Sequence, residues 1–556
     1  MPGNSRQRVS HTPRGPIPSS HSRSESSKTI SPDELRLGVE AVERQARDSS
    51  SLATMVVAVL AGMREVGLLL VRREIERRDG PYRSGSLAVR CLEPTCGAQM
   101  ELQRKLKPIY RYTLLGRLRY WRCRYQCPAC KSRAFPVDQV LSLRAALHGH
   151  SEEFANTLVL LCTLMPFGKG CALLDRLAGV AVSTRLACAL TFGIGTRLHH
   201  DEMERAELAW EERADKPEKF EPPPAALRTM TRRKRVYVMT DNSKLGIQEG
   251  KRGRGAPQTR TLAKLAKEAR RKAARAAKRQ GLGPRKVPEP TAAEMEIAAS
   301  DLANEGWRDV RALLIFEEKD LASSSKRRRE ILHRRVIAHV GTLEEWLKLV
   351  HLVLHEEGVY TAEEVVVIAD GGSGVWELIE ELLPETESRR VVEILDWYHA
   401  ASHLWGVGRA LKGSKTAAER KACSKWVRAL LDYMDDGKVG NVLQRLRKIQ
   451  DASATAMEMI RKCIEYFVKH RGRMRYSWYR KQGMLIGSGA IESVHAWVIQ
   501  PRCRLPGMRW SVEGVNAILR LRCSWASDRW DDDFARAAAQ EAPAGTATVR
   551  NLKAAA

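Results

Sequence analysis

The sequence predicts an α/β core preceded by helical and cysteine-rich modules. Three observations carry that prediction. Short, nearly continuous apolar runs, Val236 to Met239, Val310 to Phe316 and Val365 to Ala369, have the pattern of strands buried on both faces. Downstream of Gly341 such runs alternate with stretches of helical period, as in a layered α/β domain. Upstream, two cysteine pairs occupy a segment too small to hold its own core.

The elements follow in order. A chain of 556 residues needs several cores. Its formal charge of +28 and pI of about 9.8 favour an anionic polymer as partner, because each neutralised phosphate releases counterions. Residues 1–32 are rich in Ser, Pro and Arg, with no secretory signal, and read as a disordered basic arm. Residues 33–86 read as N-terminal helices, the periodicity stopping at Asp79-Gly80-Pro81. The most apolar stretch there, Leu52 to Val71, is broken by Arg64 and Glu65, which predicts a buried amphipathic helix and no membrane partner.

Residues 87–140 read as a zinc ribbon. Cys91-x4-Cys96 and Cys127-x2-Cys130 supply four thiolates for a tetrahedral Zn²⁺, and Tyr112 to Arg122 predicts a strand pair bent near Gly116. Cys123 is a rival ligand. Residues 150–230 read as helical and helix-turn-helix-like: Cys171 to Leu177 is one helix, Gly179 ends it, Ser183 caps the next, and Arg185 and Arg197 are the exposed basic candidates.

From Arg235 the period changes. Strands are expected at 235–240, 310–316, 333–339, 365–369 and 391–395, with helices at 343–355 and 375–383. Three strands followed by alternating helices and strands is the order of a ribonuclease-H-like domain, placed at 231–399. A basic insert at 251–300 interrupts it; residues 251–286 carry fourteen Lys/Arg and one acid. A helical insertion at 400–485 and a C-terminal part of the core at 486–535 follow, then a disordered tail at 538–556.

Asp241 and Asp370 each close an apolar strand, and Glu492 stands in the first turn of a helix that Ser488 is expected to cap. Hard carboxylates of this kind suit Mg²⁺ or Mn²⁺ and phosphodiester chemistry. Gly371-Gly372 and Gly374 after Asp370 match neither the dinucleotide fingerprint nor the P-loop; they permit close approach of substrate or metal to the backbone. Asp396-Trp397-Tyr398-His399 follows the fifth strand; Asp396 is read either as support for the acids or as a structural partner of histidine, and His399 as a phosphate contact. Arg502, Arg504, Arg509 and Trp510 are the further DNA-binding candidates.

Several separated segments together resemble an insertion-sequence transposase of the DDE class, nearest to the IS-Kra group. They are Tyr112-Thr-Leu-Leu-Gly116, Cys127-Pro-Ala-Cys130, Phe135-Pro-Val-Asp138, Ala369-Asp370-Gly371, Leu395-Asp-Trp-Tyr-His-Ala400, Gly487-Ser-Gly-Ala-Ile-Glu492-Ser and Gly507-Met-Arg-Trp510, spread over roughly residues 90–530. The resemblance implies a ribonuclease-H-like core, an Asp241, Asp370 and Glu492 triad holding divalent metal, cutting of transposon ends and strand transfer into target DNA. It further implies double-stranded DNA as partner, at least a dimer for synapsis, and a bacterial cytoplasmic, nucleoid-associated location. The chain departs from the expected Asp-Gly at Asp241-Asn242. The alternative reading is a catalytically silent DNA-binding protein derived from such an enzyme; a structure-selective nuclease of the same fold is a third.

Overall fold

The computed structural model describes residues 31–215, 235–247, 306–325, 328–372, 374–386 and 389–540. The basic arm (save its last two residues), the basic insert at 251–300, part of the 150–230 region and the tail from 541 lie outside the described residues. The chain divides into two compact units, Met1–Leu143 and Arg144–Ala556.

In the first unit, α1 (Pro32–Arg47) and α2 (Leu52–Arg83) form a helical hairpin, each started by a Ser capping box at Ser31 and Ser51. Helix α2 runs through Asp79-Gly80-Pro81, where the sequence predicts a stop. A proline in the last turn forfeits a single hydrogen bond, and Arg83 pairs with Asp79 at 2.6 Å across that turn. The expectation of a buried Leu52 to Val71 face is corrected: Leu52 is 76% and Val57 67% exposed, because α1 covers one side of this stretch and the Leu115-Gly116 turn reaches only its end, at Gly67 and Leu68. By length and apolar composition alone, α2 is the one helix among the described residues able to cross a membrane. Strands β1 (Glu101–Thr113) and β2 (Gly116–Gln126) pair antiparallel, β3 (Arg133–Ala134) adds to β2, and α3 (Pro136–Val140) follows.

The second unit begins with α4 (Glu152–Leu164), α5 (Phe167–Ala178) and α6 (Thr184–Asp215). Gly179 ends α5 and Ser183 accepts from the Leu186 amide, as expected. The helix after the turn is not the short reader that a helix-turn-helix needs. It spans 32 residues and buries Leu190, Ile194 and Leu198 in the unit's core. Arg197, expected on the surface, donates to the Ala537 and Ala146 carbonyls.

Next come β4 (Arg235–Gly246), β5 (Trp307–Glu317), the small hairpin β6 (Leu321–Ser325) and β7 (Arg328–Ile331), β8 (Arg335–His339), α7 (Leu343–Glu356), β9 (Glu364–Ala369), α8 (Val375–Leu382) and β10 (Arg390–Leu395). Apart from the β6–β7 hairpin, these match the expected elements to within a few residues, except β4: it runs on to Gly246, so Asp241, expected to close the strand, is paired inside it with Ala312 because β5 continues the ladder. The main sheet has the order β10-β9-β4-β5-β8. Its β4, β5 and β8 form an antiparallel meander, and β9 and β10 run parallel to β4. A helical insertion follows: α9 (Trp397–Lys412), α10 (Ala417–Asp435), α11 (Val439–Arg447), α12 (Ala454–His470) and α13 (Tyr476–Lys481).

The chain returns through α14 (Gly489–Val494), a π-helical stretch His495–Ile499, α15 (Gln500–Cys503), α16 (Val512–Ala526) and α17 (Trp530–Ala539). Helix α16 covers the edge strand: Asn516 bonds both the amide and carbonyl of Val340 at 2.9 Å, and Ser527 takes the Val336 amide.

Candidate active site and metal centre

The sheet register sets the site. Met239 of β4 pairs with Ile368 of β9, and Ala369 of β9 with Leu395 of β10. Asp370 and Asp396 therefore leave the same end of β9 and β10, and Asp241 lies level with them on β4, just past its last pairing with β9, while β4 itself runs on beside β5 to Gly246. Burial pushes the Asp241 carboxyl above its ordinary range, and the charge of Asp370 adds to that; His495, the Asn242 amide at 2.7 Å and His399 oppose it. Asp370 Oδ1 accepts from the Gly372 amide at 2.9 Å, and its carbonyl accepts from Tyr466 at 2.5 Å. Gly371 stands at φ +80°, and a Cβ there would lie 2.9 Å from Leu395 Cδ1, so the turn after Asp370 needs glycine.

Asp396 is 1% exposed and accepts four hydrogen bonds. Its Oδ1 takes the amides of Tyr398 (3.0 Å) and Ser488 (3.2 Å), and its Oδ2 takes the His399 amide (3.2 Å) and the Ser488 hydroxyl (2.7 Å). It caps α9 and ties the Gly487-Ser488 loop to the sheet. Tyr398 packs against Gly487 so closely that a Cβ there would lie 2.5 Å from its ring. The expected capping of α14 by Ser488 is thus corrected. Its hydroxyl is drawn to the buried carboxylate and lies 3.4 Å from Glu492 Oε1.

Sequence reasoning missed His495. Its Nδ1 is 3.0 Å from Ser243 Oγ and its Nε2 is 3.4 Å from Asp241 Oδ2. Burial holds its imidazole below the ordinary range, against the pull of Asp241. Histidine directly after the Glu492 helix was the available signal. The π-helical stretch has a cause: Pro501 has no N–H to give, and the guanidinium of Arg522 takes the Trp497 and Val498 carbonyls.

The DNA-binding candidates divide. Arg502 is 1% exposed, donates to the Cys162 carbonyl and lies between the Phe167 and Trp510 rings at 4.7 and 5.1 Å. Trp510 is buried and donates to the Cys503 carbonyl. Both hold α15 inside the unit, which corrects their assignment as surface contacts. Arg504 is exposed, and its charge helps to hold His495 down. Arg509 is exposed over Trp307. His399 is half-buried, and Asp241 feels its charge.

The first unit holds a separate centre. The ligand atoms of Cys91, Cys96, Cys127 and Cys130 all lie within 4.8 Å of one another. Cys91 and Cys130 sulfurs are 3.4 Å apart, and Cys96 and Cys127 sulfurs 3.5 Å. A tetrahedron with Zn–S of about 2.3 Å needs sulfurs about 3.8 Å apart, so this donor set fits zinc. The Ser132 hydroxyl draws the Cys130 thiol down to about 6, toward the thiolate that binds metal. Cys123 is excluded as a ligand: it is buried, donates to Asp79 Oδ1 at 3.2 Å, and burial pushes its thiol up to about 12. Among the described residues the cysteines alone form such a metal-binding group; Asp241, Asp370 and Glu492 do not gather within the same radius.

No protein-family model and no curated protein matches this chain.

Proposed function

We propose that this chain is a DNA transposase of the DDE class, cutting insertion-sequence ends and joining them to target DNA. The observation that carries the reading is that Asp241 on β4 stands level with Asp370 at the end of the neighbouring β9, with the Glu492 helix moored beside them through Ser488 and Asp396. The meander followed by two strands parallel to its first supports a ribonuclease-H-like core, with 400–485 as its helical insertion. The net charge of +28 supports double-stranded DNA as partner.

Asp241 and Asp370 would hold Mg²⁺ or Mn²⁺, with Glu492 completing one site. Such an ion keeps several waters and takes one or two carboxylates plus phosphate oxygens, so the acids need not touch one another. A divalent ion bound there supplies Lewis acidity and an activated nucleophile. The residues themselves do the positioning. Asp396 fixes the loop that carries Glu492, His495 and Ser243 steady Asp241, Arg504 offers positive charge to phosphate and His399 a ring nitrogen for a hydrogen bond to it. Hydrolysis frees a 3′ hydroxyl, which attacks the target strand. Zn²⁺ on Cys91, Cys96, Cys127 and Cys130 would order the ribbon that binds the ends, and synapsis needs at least a dimer.

The test uses the full chain, Mg²⁺ and duplexes carrying the DNA that flanks its gene. Asp370→Asn is expected to lose cleavage and joining while binding duplex as before; full cleavage by that variant removes Asp370 from the mechanism. Binding without nicking by the unmodified chain supports the silent DNA-binding alternative, and nicking without joining a nuclease.

A further inference from the structure

In β2 the residues alternate. Leu118 and Tyr120 are buried in a cluster with Ile75 and Val137, while Arg117 and Arg119 between them are exposed. The register places Tyr110 of β1 directly opposite Arg119. Arg117 lies 4.1 Å from the centre of the Tyr110 ring, and Arg119 lies 5.8 Å from the same ring and 4.7 Å from Trp121. Arg72 of α2 stands 4.7 Å over Trp121. Cations and rings thus alternate in one row: Arg117, Tyr110, Arg119, Trp121, Arg72.

A guanidinium stacked on a ring keeps its N–H edge free and is already ordered, so little side-chain entropy remains to be lost when it binds an anion. Neither Arg117 nor Arg119 has a carboxylate partner among the described residues. Between Glu101 and Gln126 the sequence carries eight Lys/Arg and one acid. Two cations on alternate residues of one strand, about 6.8 Å apart along it, suit a ligand charged at every repeat. A neutral surface would leave them unused.

We infer that the Arg117, Tyr110, Arg119 row is a docking face for the phosphate backbone of duplex DNA, reading no base. The inference rests on the proposed DNA-directed activity and assigns a site outside the acids. The experiment is fluorescence anisotropy of the full zinc-loaded chain with a labelled duplex of arbitrary sequence, titrated across NaCl concentrations. Each phosphate contact contributes about 0.9 to the slope of log K against log salt, so Arg117→Gln with Arg119→Gln should flatten it by about 1.8. The loss should be the same for unrelated sequences. Lys at both positions should restore the slope. An unchanged slope in the Gln pair, with the unmodified chain binding normally, overturns this face and leaves the activity standing. A Lys pair that behaves like the Gln pair means that fold rather than charge was lost, and also overturns it. An unmodified chain that binds no duplex overturns both.

Discussion

Asp396→Asn should loosen the second unit by an amount that the hydrogen bonds fix in advance. At Oδ1 the carboxylate faces two amides, Tyr398 and Ser488, which can only donate. At Oδ2 it faces the His399 amide and the Ser488 hydroxyl, and a hydroxyl can turn to accept. The asparagine will therefore keep its oxygen at the δ1 position and place its NH₂ toward Ser488. One amide, His399, is then orphaned in a half-buried first turn, at about 1 kcal/mol, and the remaining bonds fall from charged to neutral strength. Relief from burying a carboxylate offsets part of this, leaving about 2–3 kcal/mol. Asp396→Ala loses all four bonds and should cost about twice as much; Ser488→Ala loses one and should cost about 1.5 kcal/mol. Urea unfolding followed by tryptophan fluorescence should give midpoints all below the parent and rising in the order Asp396→Ala, Asp396→Asn, Ser488→Ala, at constant slope. An Asp396→Ala variant within 0.5 kcal/mol of the parent would refute the reasoning.

The purified chain should hold one zinc by elemental analysis; Cys96→Ser with Cys127→Ser should lose it, and Cys123→Ser should keep it. Burial holds His199 and His351 near about 4 against an ordinary 6.5, so both are neutral when folded. The unfolded chain then binds more protons below pH 6.5, and stability present above that value is lost as pH falls toward about 4. The loss is about 1.4 kcal/mol per unit for each group. His199→Gln should flatten the fall measured by urea midpoints between pH 6.5 and 4.5. Arg520 is 2% exposed and lies 2.8 Å from Asp533 and 3.0 Å from Glu202; Arg520→Met should destabilise by about 3 kcal/mol in the same assay, the low end for a broken buried pair, because Glu202 keeps Arg335 at 3.1 Å and Asp533 keeps Arg536 at 2.6 Å.

The sheet was legible because its strands are continuous apolar runs, and a run such as Val365 to Ala369 has few other uses in a chain this polar. Asp241 and Asp370 were legible as the residues that end those runs. What escaped was decided by distant partners. Arg502 carries the residue type of a surface cation, but its carbonyl and ring partners come from Cys162 and Phe167, more than three hundred residues away. Ser488 has the spacing of a cap, yet Asp396 captures its hydroxyl across the helical insertion. The exposed face of α2 misled because apolar periodicity reports an amphipathic helix without saying what, if anything, covers it. Cys123 was separable from the four ligands only by the direction of its side chain toward Asp79.

The most direct test of the acids is a crystal of the full chain with a duplex bound, soaked in Mn²⁺ and measured at the manganese edge. The account predicts an anomalous peak between the carboxylates of Asp241 and Asp370 that disappears in Asp370→Asn. Saturating Mn²⁺ that leaves this position empty while DNA lies across it would contradict the account.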